Sequence, residues 1–242
     1  MTQAVPGRRA AAEALAAGRG VSRLLVQRGA QGLDDLVAAA RRAGARVETG
    51  DRARLDEAAA GVVHQGVVAL AAPPATVSVE AVADRDLVVV LDGITDPHNL
   101  GAIARAAEVA GAAAVVLPRR RSAPVTPAAE KAAAGAFSWL AVAPVAGVPR
   151  ALEALARAGR WSVGLDGAAP TALWDCPPVL GEALALVVGS EGAGLARLVR
   201  QRCDVLVAIP TAGHVASLNA AVAAGVALME IRRVRRALGP SG

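Results

Sequence analysis

The sequence predicts an α/β fold, with a mostly parallel sheet in a larger C-terminal part and a smaller α/β domain before it. Short segments rich in Val, Leu and Ala alternate with helical segments, which is typical of parallel strands that are buried on both faces. A Pro-Pro segment without clear periodicity interrupts this alternation once. The chain has 242 residues, of which 54% are hydrophobic, so it can bury roughly 70% of its unfolded surface in one or two domains.

Residues 1–72 are predicted to form the small domain. Its helices are expected at 8–18, 33–44 and 51–61, and its strands at 23–28, 46–49 and 66–72. Gly18 and Gly44 are suited to end the first two helices, and Asp51 is suited to cap the third, because glycine tolerates the backbone that follows a helix and aspartate accepts free N–H groups. Residues 73–86 are predicted to be a linker.

Residues 87–242 are predicted to form the larger domain. Its strands are expected at 87–94, 113–118, 140–145, 161–166, 183–190 and 205–210, and its helices at 97–110, 127–136, 148–158, 194–202 and 218–237. Asp96 is a good N-cap for the first of these helices, with Pro97 at its first position. Ser217 is expected to cap the last helix.

Charge points to the kind of partner. The chain has 26 Lys and Arg residues against 21 Asp and Glu, a formal net charge of +5. A GC-rich coding sequence can explain why nearly all of these cations are arginine, but it does not explain the positive excess, which favours a polyanion such as nucleic acid. Aromatic residues make up only 2% of the chain, so base stacking cannot be the main contact. We therefore expect contacts through phosphates and ribose.

Several other classes of protein are disfavoured. No apolar run approaches the ~18 residues of a membrane span, and the start of the chain lacks the apolar core of a signal peptide. The protein is therefore expected to be soluble and cytoplasmic. Cys176 and Cys203 are far apart and lie in no C-x-x-C motif, so neither a disulfide framework nor a metal site is expected.

Ligands of a parallel sheet bind in the loops at the carboxyl ends of its strands, and three such loops carry residues that local structure does not explain. Asn99 and Arg105 follow the first strand of the larger domain. Glu191 lies in a glycine-rich turn, where its carboxylate would repel a pyrophosphate and suits a hydroxyl or a cationic ligand. Asn219, a mediocre helix former, follows Ser217 at the start of the last helix.

Together these loops resemble the three motifs of the SpoU/TrmH branch of the SPOUT RNA methyltransferases. The matching segments are D-P-H-N-L-G-A-I-x-R at 96–105, G-S-E-G-x-G-L at 189–195 and I-P-x-x-G-x-x-x-S-L-N at 209–219. Two further segments, G-R-x-A-x-x-E-A-L at 7–15 and H-Q-G-V-V-A at 64–69, resemble the subgroup that methylates a guanosine 2′-hydroxyl of large-subunit ribosomal RNA. The resemblance covers nearly the whole chain.

The resemblance implies a SPOUT fold with a deep C-terminal trefoil knot, a rare exception to unknotted topology. It also implies that S-adenosylmethionine (AdoMet) binds in the knot. The residues that would bind this cofactor are Gly189, Ile209, Ser217 and Leu218. A homodimer with active sites near the subunit interface and an N-terminal RNA-binding domain are implied as well.

The family's catalytic positions map onto Asn99, Arg105, Glu191 and Asn219. We expect Arg105 to orient the target ribose hydroxyl and its phosphate and to stabilise the developing alkoxide. A guanidinium with a pKa above ~12 is not a general base, so a neighbouring phosphate of the RNA is the expected proton acceptor. The other three residues would hold the ribose, the arginine and the loops.

Basic residues predict where the RNA lies. The candidate RNA-binding residues are Arg8, Arg9, Arg119, Arg120 and Arg121. The segment from Lys131 departs from the usual family pattern, because Ala133 replaces a serine and Ser138 replaces an acidic residue. This departure leaves the identity of the target nucleotide open.

Three alternatives remain open from the sequence. The first is an enzyme of the same family that acts on tRNA guanosine or confers antibiotic resistance by methylating ribosomal RNA. The second is a catalytically silent ribosome-assembly factor that only binds RNA. The third is a generic nucleotide-binding Rossmann enzyme, which Glu191 and the glycine spacing disfavour.

Overall fold

The computed structural model describes residues 2–215 and 217–238 and confirms an α/β fold with two separate sheets. Among the described residues, no helix is both long and apolar enough to cross a membrane. The threading of the C-terminal segment into a knot stays a prediction of the family resemblance.

The N-terminal sheet has four strands in the order β1-β4-β2-β3. Its elements are β1 (Gln3–Pro6), α1 (Arg8–Ala16), β2 (Arg23–Gln27), α2 (Asp34–Arg42), β3 (Arg46–Gly50), α3 (Arg52–Ala58) and β4 (Val67–Ala71). Asp51 caps α3 as predicted, since its side chain accepts a hydrogen bond from the backbone N–H of Arg54. Strand β1 was not predicted, because a four-residue segment that ends in proline has little strand signal and pairs only at a sheet edge.

The C-terminal sheet has six parallel strands in the order β10-β8-β9-β5-β6-β7. Its elements are β5 (Leu87–Asp92), α4 (Pro97–Val109), β6 (Ala114–Pro118), α5 (Pro127–Ala133), β7 (Ala141–Val145), α6 (Val148–Arg157), β8 (Trp161–Leu165), α7 (Pro177–Gly181), β9 (Leu184–Gly189), α8 (Arg197–Arg200), β10 (Val205–Val207) and α9 (Ala220–Leu238). Every predicted strand of this domain is present. Helix α7 was not predicted, and α8 is shorter than expected.

Apolar cores cover both faces of this sheet. Leu91, Leu186 and Val188 face one core together with side chains of α4, α5 and α9. Val90 and Val187 face the other core, against α6 and α8. Because β9 and β5 are neighbours and both are buried on two faces, their carboxyl ends meet at one edge of the sheet.

The segment predicted as a linker also packs against the second sheet. The N–H of Val77 donates to the carbonyl of Val142 at 3.0 Å, and the N–H of Val142 donates to the carbonyl of Ala75 at 2.8 Å. Val79 and Val82 are buried in the core beneath α6. The segment is therefore fixed along edge strand β7 in addition to joining the two sheets.

The two parts of the chain contact each other mainly where α5 and the residues around it pack against β1 and α1. The guanidinium of Arg19 lies 2.6 Å from the carboxylate of Glu130, and both side chains are almost fully buried. Lys131 donates to the side chain of Gln65 at 2.8 Å. Two more hydrogen bonds, from Trp139 Nε1 to Glu13 and from Gln3 Nε2 to the carbonyl of Val125, cross the same boundary.

Candidate active site

The carboxyl ends of β5, β9 and β10 each lead into one of the three loops identified in the sequence. Asp96 starts α4 as predicted, because its carboxylate accepts the N–H of His98 at 2.9 Å and Pro97 occupies the first turn. This start places Asn99 in the first turn of α4, facing the loop after β9. Local capping chemistry thus positions the first candidate side chain.

Three candidate catalytic residues form one hydrogen-bonded network. Asn99 Nδ2 donates to Glu191 Oε1 at 3.0 Å, and Asn219 Nδ2 donates to Asn99 Oδ1 at 3.0 Å. Asn219 Nδ2 also donates to Glu191 Oε1. The three loops are therefore tied together by two amides and one carboxylate, although the residues are far apart in the chain.

The last helix begins two residues later than predicted. Asn219 Oδ1 accepts the N–H groups of Ala221 at 2.9 Å and Val222 at 3.2 Å, and the carbonyl of Asn219 accepts the N–H of Ala223. Asn219 is therefore the N-cap of α9, and the expectation that Ser217 caps this helix is wrong. The capping side chain is also the one that contacts Glu191, which explains an asparagine at this position.

A cavity of about 470 Å³ opens beside this network. All four predicted cofactor-binding residues line it, namely Gly189, Ile209, Ser217 and Leu218. Its volume falls within the roughly 300–1,000 Å³ that small-molecule sites occupy. The second and third loops therefore meet around one pocket, which the sequence spacing alone could not show.

Gly189 is required by close backbone packing. A Cβ atom at this position would lie 2.3 Å from the carbonyl carbon of Gly194. The turn folds back on itself through paired hydrogen bonds between Ser190 and Gly194. Asp92 Oδ2 accepts the N–H of Ala196 at 2.7 Å and so fixes the end of the turn to β5.

The cavity has one functional candidate that the sequence reasoning missed. Asp166, in the loop after β8, lines the cavity, and its carboxylate pairs with Arg200 at 2.7 Å. The signal was present, because the same Leu-Asp-Gly tripeptide stands at the carboxyl end of both β5 and β8, at residues 91–93 and 165–167.

Two carboxylates line the cavity, those of Glu191 and Asp166. Asp166 is paired with Arg200, so the charge of Glu191 remains, and it favours a cationic or neutral ligand over a phosphate. Outside the cavity, the pKa of the Cys203 thiol is raised to about 12, by burial first and then by the charges of Asp204, Asp92 and Asp166.

Arg105 lies apart from the network. It follows Asn99 by six residues on α4, so the two side chains project roughly 120° apart around the helix. Its side chain is exposed and forms no hydrogen bond or ion pair within 2–215 and 217–238. The predicted role of Arg105 is therefore not tested by contacts within this single chain.

The predicted RNA-binding arginines occupy two environments. Arg8 donates to the carbonyls of Gln31, Gly32 and Gln65, so its guanidinium also holds two loops of the small domain together. Arg9 is exposed beside it. The predicted basic loop, Arg119 to Arg121, is exposed at the carboxyl end of β6.

Comparison with known proteins identifies the family. A model of the SpoU rRNA Methylase family matches residues 86–229, which is more than half of the chain. The chain belongs to the SpoU rRNA methylase family. A second model, described as RNA 2′-O ribose methyltransferase substrate binding, matches residues 4–77 of this SpoU family member.

Relatives of this SpoU protein include proteins named as methyltransferases. It is 47% identical over 198 residues to a Burkholderia protein named 23S rRNA (guanosine-2′-O-)-methyltransferase RlmB, with 80% of this chain and 79% of the relative covered. It is 41% identical to the protein of that name from Vibrio cholerae, with 81% of each chain covered.

A solved structure extends the similarity to the whole SpoU chain. AviRb, a SpoU methyltransferase from Streptomyces viridochromogenes, superposes with a TM-score of 0.81 at 29% identity, covering 98% of this chain and 90% of AviRb. A second AviRb structure, titled as a complex with the cofactor AdoMet, has a TM-score of 0.81 at 28% identity and covers 97% of this chain and 90% of that one.

Proposed function

We propose that this protein is an AdoMet-dependent RNA 2′-O-ribose methyltransferase that acts on a guanosine of 23S ribosomal RNA. The observation that carries the proposal is the network of Asn99, Glu191 and Asn219, which joins the three loops beside the cavity. The RlmB-named relatives support the ribosomal substrate. The substrate-binding match to residues 4–77 supports recognition by the small domain.

The cavity suits AdoMet in size and charge. Its walls combine the backbone of the glycine-rich turn with the apolar side chains of Ile209 and Leu218. Glu191 in that turn also lines the cavity, and its carboxylate suits a sulfonium cation better than the pyrophosphate of NAD. Bound AdoMet supplies an electrophilic methyl group, and Gly189, Ile209, Ser217 and Leu218 are the residues that would hold it.

Arg105 acts on the RNA in this proposal. Its guanidinium has no described partner in this chain, so it is free to bind the phosphate and the 2′-hydroxyl of the target nucleotide. By holding the hydroxyl in line for attack and stabilising the oxygen as it loses its proton, Arg105 lowers the barrier. A phosphate oxygen of the RNA accepts the proton, because arginine stays protonated.

The network of Asn99, Glu191 and Asn219 shapes the site around these events. Glu191 accepts three N–H groups on one oxygen, including the backbone of Ala220 at 3.4 Å. Its second oxygen remains available to accept a ribose hydroxyl. The carboxylate thereby links the substrate to the turn that lines the cofactor cavity.

A homodimer completes the proposal. Val222 and Met229 lie seven residues apart on one face of α9 and are half-exposed, and Val109 is exposed on neighbouring α4. Exposed apolar side chains on adjacent helices favour a protein interface. Arg105 lies one turn before Val109 on α4, so a partner that packs there would lie close to the catalytic arginine.

Transfer of radiolabelled methyl from AdoMet to unmodified 23S rRNA and tRNA transcripts tests the proposal. We expect 2′-O-methylguanosine in the 23S rRNA. Arg105→Ala should lower kcat about 10²–10³-fold with unchanged AdoMet affinity, whereas Arg157→Ala, a control on the exposed last turn of α6, should not. AdoMet binding without transfer would indicate a silent RNA-binding factor, and labelling of tRNA alone would indicate a tRNA enzyme.

A further inference from the structure

A second cavity lies at the outer edge of the C-terminal sheet, away from the cofactor cavity. It has a volume of about 440 Å³ and lies between the segment 76–80, the end of β7 and the start of α6. Arg119, after β6, and Arg150, in the first turn of α6, both line it. Two cations from different elements therefore converge on one concave surface.

These two arginines lack the partners that other arginines of the domain have. Arg200 pairs with Asp166 at 2.7 Å, and Arg202 pairs with Glu153 at 2.6 Å. Neither Arg119 nor Arg150 forms a side-chain hydrogen bond or an ion pair in the part of the chain that the structure describes. Their charges are available to a ligand.

The wall of the cavity is fixed before any ligand binds. The segment 76–80 is held on β7 because the N–H of Val77 donates to the carbonyl of Val142, and its own Val79 side chain is buried. The backbone N–H of Arg119 donates to the carbonyl of Val145 at 2.8 Å, which fixes where the basic loop leaves the sheet. Because this wall is already formed, binding an anion requires ordering only the two arginine side chains.

The position of the cavity relates it to the active site. Strand β7 lies three places from β9 in the sheet, and neighbouring strands are about 4.8 Å apart. The carboxyl ends of β9 and β7 are therefore separated by roughly 14 Å. An RNA strand whose target ribose lies at Glu191 can reach this cavity within a few nucleotides.

We propose that this cavity binds a phosphodiester group of the substrate RNA next to the target nucleotide, through Arg119 and Arg150. The proposal rests on the proposed RNA methyltransferase function and names the surface along which the RNA leaves the active site. Glu80 also lines the cavity, and its negative charge opposes an anionic ligand. Removing this charge should therefore strengthen RNA binding, whereas removing the charge of either arginine should weaken it.

The test is the salt dependence of binding to an unmodified 23S rRNA transcript. Each phosphate contact contributes about 0.7 to the slope of log K against log salt for single-stranded RNA. Arg119→Gln and Arg150→Gln should each lower that slope by about 0.7 and the affinity at 0.1 M salt about fivefold. Glu80→Gln should tighten binding roughly two- to fivefold.

Two controls make the result specific. Arg85→Gln and the double variant Arg85→Gln/Arg202→Gln remove one and two positive charges before the amino ends of β5 and β10, away from the carboxyl ends of β6 and β7, and should leave the slope unchanged. AdoMet affinity of every variant checks that the fold is intact.

The double variant Arg119→Gln/Arg150→Gln should lower the slope by about 1.4. A wild-type slope for this variant with intact AdoMet binding would overturn the proposal, as would an equal loss in the Arg85→Gln/Arg202→Gln control. A Glu80→Gln variant that binds RNA more weakly would overturn it as well. Failure of the proposed function would be seen in a different experiment, because the wild-type protein itself would then transfer no methyl group to RNA.

Discussion

The buried ion pair between Arg19 and Glu130 joins the two parts of the chain, and Glu130→Ala tests how much it stabilises the fold. The Nη2 and Oε1 atoms are 2.6 Å apart, and the side chains are 5% and 0% exposed. Arg19 Nε also donates to the carbonyl of Ala72 at 2.8 Å. Without the carboxylate, the guanidinium keeps that one bond and loses its only counter-charge among the described residues.

The expected loss is large. Removing one partner of a buried ion pair costs about 3–5 kcal/mol, because a charge is left buried without compensation. For a chain of this length each kcal/mol lowers Tm by roughly 2–4 °C, so Glu130→Ala should lower Tm by roughly 6–20 °C. Glu130→Gln also leaves the Arg19 charge without its counter-charge but keeps a hydrogen-bond acceptor, so it should cost about 1 kcal/mol less than Glu130→Ala. Arg19→Met/Glu130→Leu should cost less than Glu130→Ala, since no buried charge remains.

The pH dependence gives a second measurement. Burial raises the pKa of Glu130 above its ordinary value of 4.5, and Arg19 opposes that rise. The folded state therefore holds this proton more tightly than the unfolded state does. This contribution to the free energy of unfolding is complete below pH 4.5 and is lost as the pH rises through the folded pKa. Glu130→Gln cannot titrate and should lack this decline.

Urea unfolding followed by circular dichroism between pH 4 and 8 measures both effects. A loss below about 1 kcal/mol for Glu130→Ala would refute the reasoning, because the pair would then be solvated in solution. So would a double variant that is less stable than Glu130→Ala.

Three further predictions concern the site and its surroundings. Gly189→Ala should weaken AdoMet binding at least tenfold by calorimetry, because its Cβ would lie 2.3 Å from a carbonyl carbon of Gly194. Gly225→Ala, in α9 and outside the cavity, would place a Cβ with nothing within 4 Å and should not weaken binding. Asp51→Ala removes the cap of α3 and should lower the free energy of unfolding by about 1 kcal/mol without changing methyl transfer. Cys203, with a pKa of about 12, should react with a thiol reagent at pH 8 about a thousandfold more slowly than an ordinary cysteine.

The strands of the larger domain could be predicted because their signal is local. Runs such as Leu87–Asp92 and Leu184–Gly189 are apolar on both faces, and only a central parallel strand needs this. The start of α4 could be predicted for the same reason, because two adjacent residues determine it: Asp96 is the N-cap and Pro97 is the first residue of the helix. Helix α9 could not be placed so precisely, because Ser217 and Asn219 are both good caps and the contact to Glu191 decides between them.

The network of the site could not be derived from local rules. Asn99 and Asn219 are 120 residues apart, and no periodicity relates them; the family motifs led to both. The Arg19–Glu130 contact had no sequence signal at all, because a charged residue in a helix is usually solvent-exposed. Long-range polar contacts of this kind are set by how the sheets pack, which the residue pattern does not encode.

Asn219 and Asn99 differ in whether the local fold requires an asparagine at that position. Asn219 caps α9 through its Oδ1 and contacts Glu191 through its Nδ2, so one side chain fixes both the start of the helix and the geometry of the site. Asn99 caps nothing, since Asp96 already starts α4, and its amide contacts only Glu191 and Asn219 among the described residues. The fold therefore has no need of an amide at Asn99, and its presence there points to the chemistry of the site.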